Sequence, residues 1–84
     1  MHPPLLAIVS AMREELSALL LQLQDARSTT RAGREFHSGQ MYGHSVVLVL
    51  SGVGKVSAAT TVAILASEFK PDALLFTGVA GGLG

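Results

Sequence analysis

Cysteine is absent from this sequence of 84 residues, and so is tryptophan. Without cysteine there is no disulfide and no thiolate metal site. Other aromatic residues are few, with one tyrosine and three phenylalanines. Charge is sparse too. Charged residues make up 14% of the chain, against about 25% in an average soluble domain. Six basic residues balance six acidic ones. No basic patch points to nucleic acid, and no cationic amphipathic stretch points to a membrane surface. Long apolar runs are missing as well, since none approaches the ~20 residues that span a bilayer. The opening Met1-His2-Pro3-Pro4 lacks the cationic region of a signal peptide. The expectation is a cytoplasmic protein.

What is plentiful is aliphatic. Hydrophobic residues make up 49% of the chain. A chain this short holds one domain at most and hides only a modest share of its surface. So much apolar surface with so little charge predicts one of two things. Either the chain associates through apolar faces, or further polypeptide packs against it. The expectation is that residues 1–84 are a truncated, amino-terminal portion of a single domain.

Leu5-Leu6-Ala7-Ile8-Val9 reads as a strand buried on both faces, as in a parallel sheet. From Met12 to Asp25 the pattern is helical, with Leu16, Leu19, Leu20 and Leu23 on one stripe. Ser28 to Gly33 is polar and turn-like. Arg34 to Met41 alternates loosely, with Phe36 facing inward. Tyr42-Gly43-His44 makes a turn, and Ser45 to Leu50 is a second buried strand. The short spacing between these two predicts an antiparallel hairpin. Ser51-Gly52-Val53-Gly54-Lys55 turns the chain into a helix over Val56 to Phe69, striped by Val62, Leu65, Ala66 and Phe69. Lys70-Pro71-Asp72 ends that helix. Ala73 to Thr77 reads as a third buried strand, leading into Gly78 to Gly84. The order is β-α-β-β-α-β, with no internal repeat or linker.

In open α/β sheets, ligands bind outside the carboxyl ends of the strands. Three such ends are visible: Ser10-Ala11-Met12, Ser51-Gly52-Val53-Gly54 and Thr77-Gly78-Val79-Ala80-Gly81-Gly82. All are built from small residues, which let backbone N–H groups approach a ligand closely. One such turn is ordinary βα architecture, whereas three on one sheet edge favour a site. Two phosphate motifs fail. A P-loop needs glycine where Val49 stands and Ser or Thr where Val56 stands. A dinucleotide fingerprint needs glycine where Ser57 stands. Glu14 and Glu15 sit in the first turn of a helix, where both can complement its dipole. Successive helix residues point about 100° apart, so one of the pair can instead face the sheet edge. His2, His37 and His44 lack metal-ligand spacing and read as surface or turn residues. Met12 and Phe36 read as core.

Taken together, Ala7-Ile8-Val9-Ser10-Ala11-Met12-Arg13-Glu14-Glu15, Ser51-Gly52-Val53-Gly54-Lys55-Val56-Ser57-Ala58-Ala59 and Thr77-Gly78-Val79-Ala80-Gly81-Gly82 resemble the amino-terminal third of the 5′-methylthioadenosine/S-adenosylhomocysteine nucleosidase family, within the purine nucleoside phosphorylase-like superfamily. The resemblance runs along nearly the whole chain, in order. It implies a three-layer α/β fold around a mixed sheet of the nucleoside phosphorylase/hydrolase type. It also implies hydrolysis of the N-glycosidic bond of a thioadenosine nucleoside to adenine and a thioribose, in methionine salvage. No cofactor or metal is implied. The implied partners are a small-molecule nucleoside and a second copy in a homodimer, with neither nucleic acid nor membrane.

By the same resemblance, Glu15 matches the glutamate that activates the attacking water, and Met12 the methionine beside it. Val53 matches an apolar residue near the alkylthio end of the substrate. Val79, Ala80 and Gly81 match the segment over the ribose and purine. The family commonly has serine at the place of Val79, which removes a hydroxyl. The acid that protonates the purine and the glutamate that holds the ribose hydroxyls would lie beyond residue 84, so the 84-residue chain alone is expected to be inactive. Phosphorylases of the superfamily bring a Gly-Asp-Pro-x-Arg segment to the first strand end, where this chain has Ser10 to Glu15. A carboxylate there repels phosphate. Ser57 cuts the other way, falling where phosphorylases place a phosphate-binding serine. Futalosine hydrolase is similar in these loops and stays open as an alternative, as does phosphorolysis. From another class, so does a non-catalytic α/β fragment that folds with a partner.

Overall fold

Strands with apolar residues on both sides need cover on both faces, and the fold provides it. A computed structural model describes residues 4–51 and 55–77. Its elements are β1 (Leu5–Ser10), α1 (Arg13–Leu20), β2 (Gln24–Arg31), β3 (Arg34–Met41), β4 (His44–Leu50), α2 (Lys55–Ile64), a π-helical continuation of α2 (Leu65–Phe69) and β5 (Ala73–Thr77). The strands form one sheet in the order β2-β3-β4-β1-β5. β1 is parallel to both β4 and β5, while β3 is antiparallel to β2 and β4.

Strand alternation divides the core in two. Ala7, Val9, Val47 and Val49 pack on one face with Phe36 and Leu65. Ile8, Val46 and Leu48 pack on the other with Leu16 and Met41. Leu16 belongs to α1 and Leu65 to the continuation of α2, so each face has its own helical cover. The result is a three-layer mixed α/β arrangement, as expected. Phe69 packs against the first cluster and stacks on Phe36, with ring centroids 5.1 Å apart. Of the expected stripe on the second helix, Leu65 and Phe69 face the core. Val62 and Ala66 instead line an open groove of about 440 Å³ beside the amino end of β5.

The first helix stops five residues earlier than its leucine stripe predicts. α1 ends at Leu20, and Gln22 and Leu23 donate backbone hydrogen bonds back to Leu19 and Leu20 in a tight turn. Leu23 still packs with Leu19 and Leu20 against the second core cluster. The stripe is therefore real in space, but its last member is delivered by a turn. The chain then enters a strand, β2, where the sequence reads as turn-like. β2 is an edge strand with almost every residue exposed, so no alternation of apolar and polar residues marks it. The element order gains one strand, β-α-β-β-β-α-β.

Two matching hairpin turns connect β2, β3 and β4. Ala32 and Gly33 have φ 54° and 77°, and Tyr42 and Gly43 have φ 52° and 80°. Positive φ at both central residues is the primed turn that matches strand twist. Gly39 serves a different purpose. A Cβ there would lie 2.5 Å from the Gln24 carbonyl oxygen and 2.9 Å from Leu23 Cγ. Only glycine lets the chain entering β2 pass so close to β3.

β5 also departs from expectation. It pairs with β1 as a parallel strand, yet Leu74, Leu75 and Phe76 are 39%, 50% and 42% exposed. The reason is position, since β5 is the outer strand on its side of the sheet. Ala73 to Thr77 contains no charged residue to guard that edge.

Candidate active site at the carboxyl edge of the sheet

The parallel strands β4, β1 and β5 are neighbours, so their carboxyl ends share one edge. Backbone hydrogen bonds tie those ends together. Ser51 donates to the Ser10 carbonyl at 2.9 Å, and Ala11 donates to the Thr77 carbonyl at 3.3 Å. Side chains add to this. The hydroxyls of Ser10 and Thr77 are 2.9 Å apart, and Ser51 Oγ lies 3.5 Å from the Ser10 carbonyl oxygen. Ser10 and Ser51 are both buried. A row of small hydroxyl residues thus floors the edge at the ends of the three parallel strands.

Met12 is the N-cap of α1, with extended φ −118° and ψ 139°. Its carbonyl accepts from Leu16 N–H at 3.2 Å. Its side chain is 51% exposed, which corrects the reading of Met12 as core; Phe36, by contrast, is fully buried. The acidic pair in the first turn divides as the 100° rotation allows. Glu14 is exposed. Glu15 is partly buried, and its Oε1 is shut from solvent without a hydrogen-bond partner. A buried carboxylate oxygen left unpaired is uncommon and asks for an explanation. At a strand-end ligand edge, the economical explanation is a ligand or water that it receives.

The described residues contain one other such atom, Nε of Arg34. Arg34 begins β3 and stands opposite the end of β4 in the antiparallel register. Its guanidinium donates to Ser57 Oγ at 3.1 Å and to the Ala32 carbonyl at 3.1 Å, with a longer contact of 3.5 Å to the Ser57 carbonyl. Ser57 Oγ in turn donates to the Ser51 carbonyl. Sequence reasoning gave Arg34 no role. Its place at the edge follows only from the strand register, which no local pattern reveals.

Of the remaining residues singled out in the sequence, Val53, Val79, Ala80 and Gly81 lie outside the described residues. His37 Nδ1 lies 3.1 Å from the Ser28 hydroxyl, a contact between β3 and β2, and His44 is exposed. Among the described residues, no group of three or more His, Asp or Glu could hold a metal ion. No helix among them is long and apolar enough to cross a membrane. The groove of about 440 Å³ lies beside Pro71 and Ala73, at the opposite end of β5 from the strand-end edge.

A family model described as the phosphorylase superfamily matches residues 5–84. A 5′-methylthioadenosine/S-adenosylhomocysteine nucleosidase of Lysinibacillus sphaericus is 48% identical over 77 residues, covering 92% of this chain and 34% of that protein. The crystal structure of such a nucleosidase from Colwellia psychrerythraea, in complex with adenine, superposes with a TM-score of 0.85 at 43% identity. That likeness covers 89% of this chain and 31% of the other. Futalosine hydrolase of Helicobacter pylori superposes with a TM-score of 0.81 at 28% identity, covering 89% of this chain and 33% of the other. The chain spans about a third of the length of the relatives it matches.

Proposed function

The chain belongs to the phosphorylase superfamily, and we propose that the whole protein is a nucleosidase. It hydrolyses the N-glycosidic bond of 5′-methylthioadenosine and S-adenosylhomocysteine, releasing adenine and the thioribose. The observation that carries this reading is the buried, unpartnered Oε1 of Glu15 at the carboxyl edge of β1. Its support is the likeness to nucleosidases at 43–48% identity.

Cleavage of a glycosidic bond passes through an oxocarbenium-like transition state. A water must reach the anomeric carbon as the base departs. Glu15 is the general base: it accepts a proton from that water as the new C–O bond forms. The strand-end row of Ser10, Ser51 and Thr77 fixes the floor beneath the sugar. Met12 offers a partly exposed apolar side chain beside it. By the resemblance, Val53, Val79, Ala80 and Gly81 are the further contacts to the thioalkyl group, ribose and purine. The leaving adenine is protonated, and the ribose hydroxyls are held, by groups beyond residue 84, so residues 1–84 alone do not turn over substrate. The whole protein acts as a cytoplasmic homodimer in methionine salvage, without cofactor, on a small nucleoside.

Water rather than phosphate is favoured by two features. Glu15 brings negative charge to the nucleophile's position, which repels a phosphate dianion. Ser57, the residue that argued for phosphate, gives its only hydroxyl proton to the Ser51 carbonyl and receives one from Arg34. It has no proton left for a phosphate oxygen. Futalosine is the second substrate candidate, and the lower identity to futalosine hydrolase, 28%, ranks it below methylthioadenosine. The test is the sugar product. Hydrolysis of methylthioadenosine by the whole protein gives free methylthioribose even in phosphate buffer. Recovery of the sugar as its 1-phosphate would overturn the proposal.

A further inference from the structure

Arg34 is a cation in an awkward place. It abuts the first turns of α2, where the helix dipole is already positive. Among the described residues it has no carboxylate within ion-pair distance, in contrast to Arg31, which pairs with Glu68 at 2.7 Å. One of its donors, Nε, is buried with no partner. An arrangement selected for stability alone would not put an uncompensated guanidinium there.

Its contacts show what it does. Ser51 ends the β4 side of the connection into α2, and Ser57 lies in the first turn of that helix. The Ser57 hydroxyl donates to the Ser51 carbonyl, so one side chain ties the end of β4 to the first turn of α2. Arg34 reaches over from β3 and donates to the same hydroxyl at 3.1 Å, while a second nitrogen holds the Ala32 carbonyl of the neighbouring turn at 3.1 Å. Thr61 donates to the Ser57 carbonyl at 2.8 Å and is itself fully buried. Ser57 is thus held from three sides. A serine hydroxyl that accepts from a charged donor also becomes a better donor along the chain.

We propose that Arg34 and Ser57 form a latch that ties the end of β4 at Ser51 to the first turn of α2, and that Arg34 is a positioning residue for nucleoside binding. This rests on the nucleosidase reading of the same edge. The latch acts on the strand-end edge at Ser51 and not on the water-activating carboxylate. Its loss therefore weakens the hold on substrate more than the chemical step.

Two readouts on the whole protein test it. Amide hydrogen exchange over residues 55–61 reports the latch itself, independent of any activity. Steady-state kinetics with methylthioadenosine report its use. Arg34→Met is expected to raise exchange over these first turns of α2 about tenfold, the scale of losing one hydrogen bond from a charged donor. It is also expected to raise KM about tenfold with kcat changed less than about twofold. Ser57→Ala does the same, and the double variant is no worse than the poorer single one, because both remove one device. Arg34→Lys restores part of the effect. Unchanged exchange in Arg34→Met would remove the latch. Faster exchange with unchanged KM, or additive effects in the double variant, would remove the positioning role. A wild-type protein with no nucleosidase activity would instead sink the functional reading, and exchange would still judge the latch.

Discussion

At the scale of single residues, the candidate site is a set of polar atoms with unequal commitments. Ser10, Ser51, Ser57 and Thr77 are bonded to one another or to backbone carbonyls at the strand ends. Glu15 Oε1 is not. In the whole protein, Glu15→Gln is expected to lower kcat by about 10²–10⁴-fold, the range for loss of a general base. The melting temperature should stay at or above that of the wild type, because the change removes a buried charge without leaving a partner behind. Turnover near normal in thermal-shift-competent protein would take Glu15 out of the mechanism. Resemblance singled out Glu15 in the sequence, and helix rotation explains why it is partly buried while Glu14 is exposed. Arg34 was not legible. It follows a turn in an unremarkable polar stretch, and only the pairing of Phe36 with Val49 brings Arg34 level with Ser51.

At the scale of elements, the sequence is readable wherever burial imposes a pattern. β1 and β4 are continuous apolar runs because both of their faces are covered. The hairpin at Tyr42-Gly43 is marked by its spacing and its glycine. β2 carries no such mark, since an edge strand exposed on both faces has no reason to alternate. Its place is set instead by two backbone requirements that propensity does not announce, a turn with positive φ at Ala32 and a close approach at Gly39. Both are testable by urea unfolding. Ala32→Gly relieves a non-glycine residue at φ 54° and is expected to stabilise the protein by about 1 kcal/mol. Gly39→Ala forces a methyl group against the Gln24 carbonyl and is expected to destabilise it by about 1–3 kcal/mol. A neutral Gly39→Ala would show that the entry into β2 is not held as closely as described.

At the scale of the whole molecule, the two edges of the sheet are unlike. β2 carries Asp25, Arg27 and Arg31 and a register irregularity between Gln24 and Arg27, features that discourage further strand pairing. β5 carries Ala73-Leu74-Leu75-Phe76-Thr77, uncharged and largely exposed. The 84-residue polypeptide on its own is therefore expected to self-associate in a concentration-dependent way. Leu75→Lys, on the exposed edge, should shift it towards monomer in size-exclusion chromatography with light scattering. An unmodified chain that stays monomeric at high concentration would refute that account of β5. The proposed activity belongs to the same scale, because on that proposal the strand-end edge supplies only part of a nucleoside pocket and the chemistry is a property of the whole protein. The most direct test of the central claim is adenine release from methylthioadenosine by the whole protein in phosphate-free buffer. The account predicts a full rate without phosphate and no acceleration when phosphate is added. Adenine release that requires phosphate would contradict it.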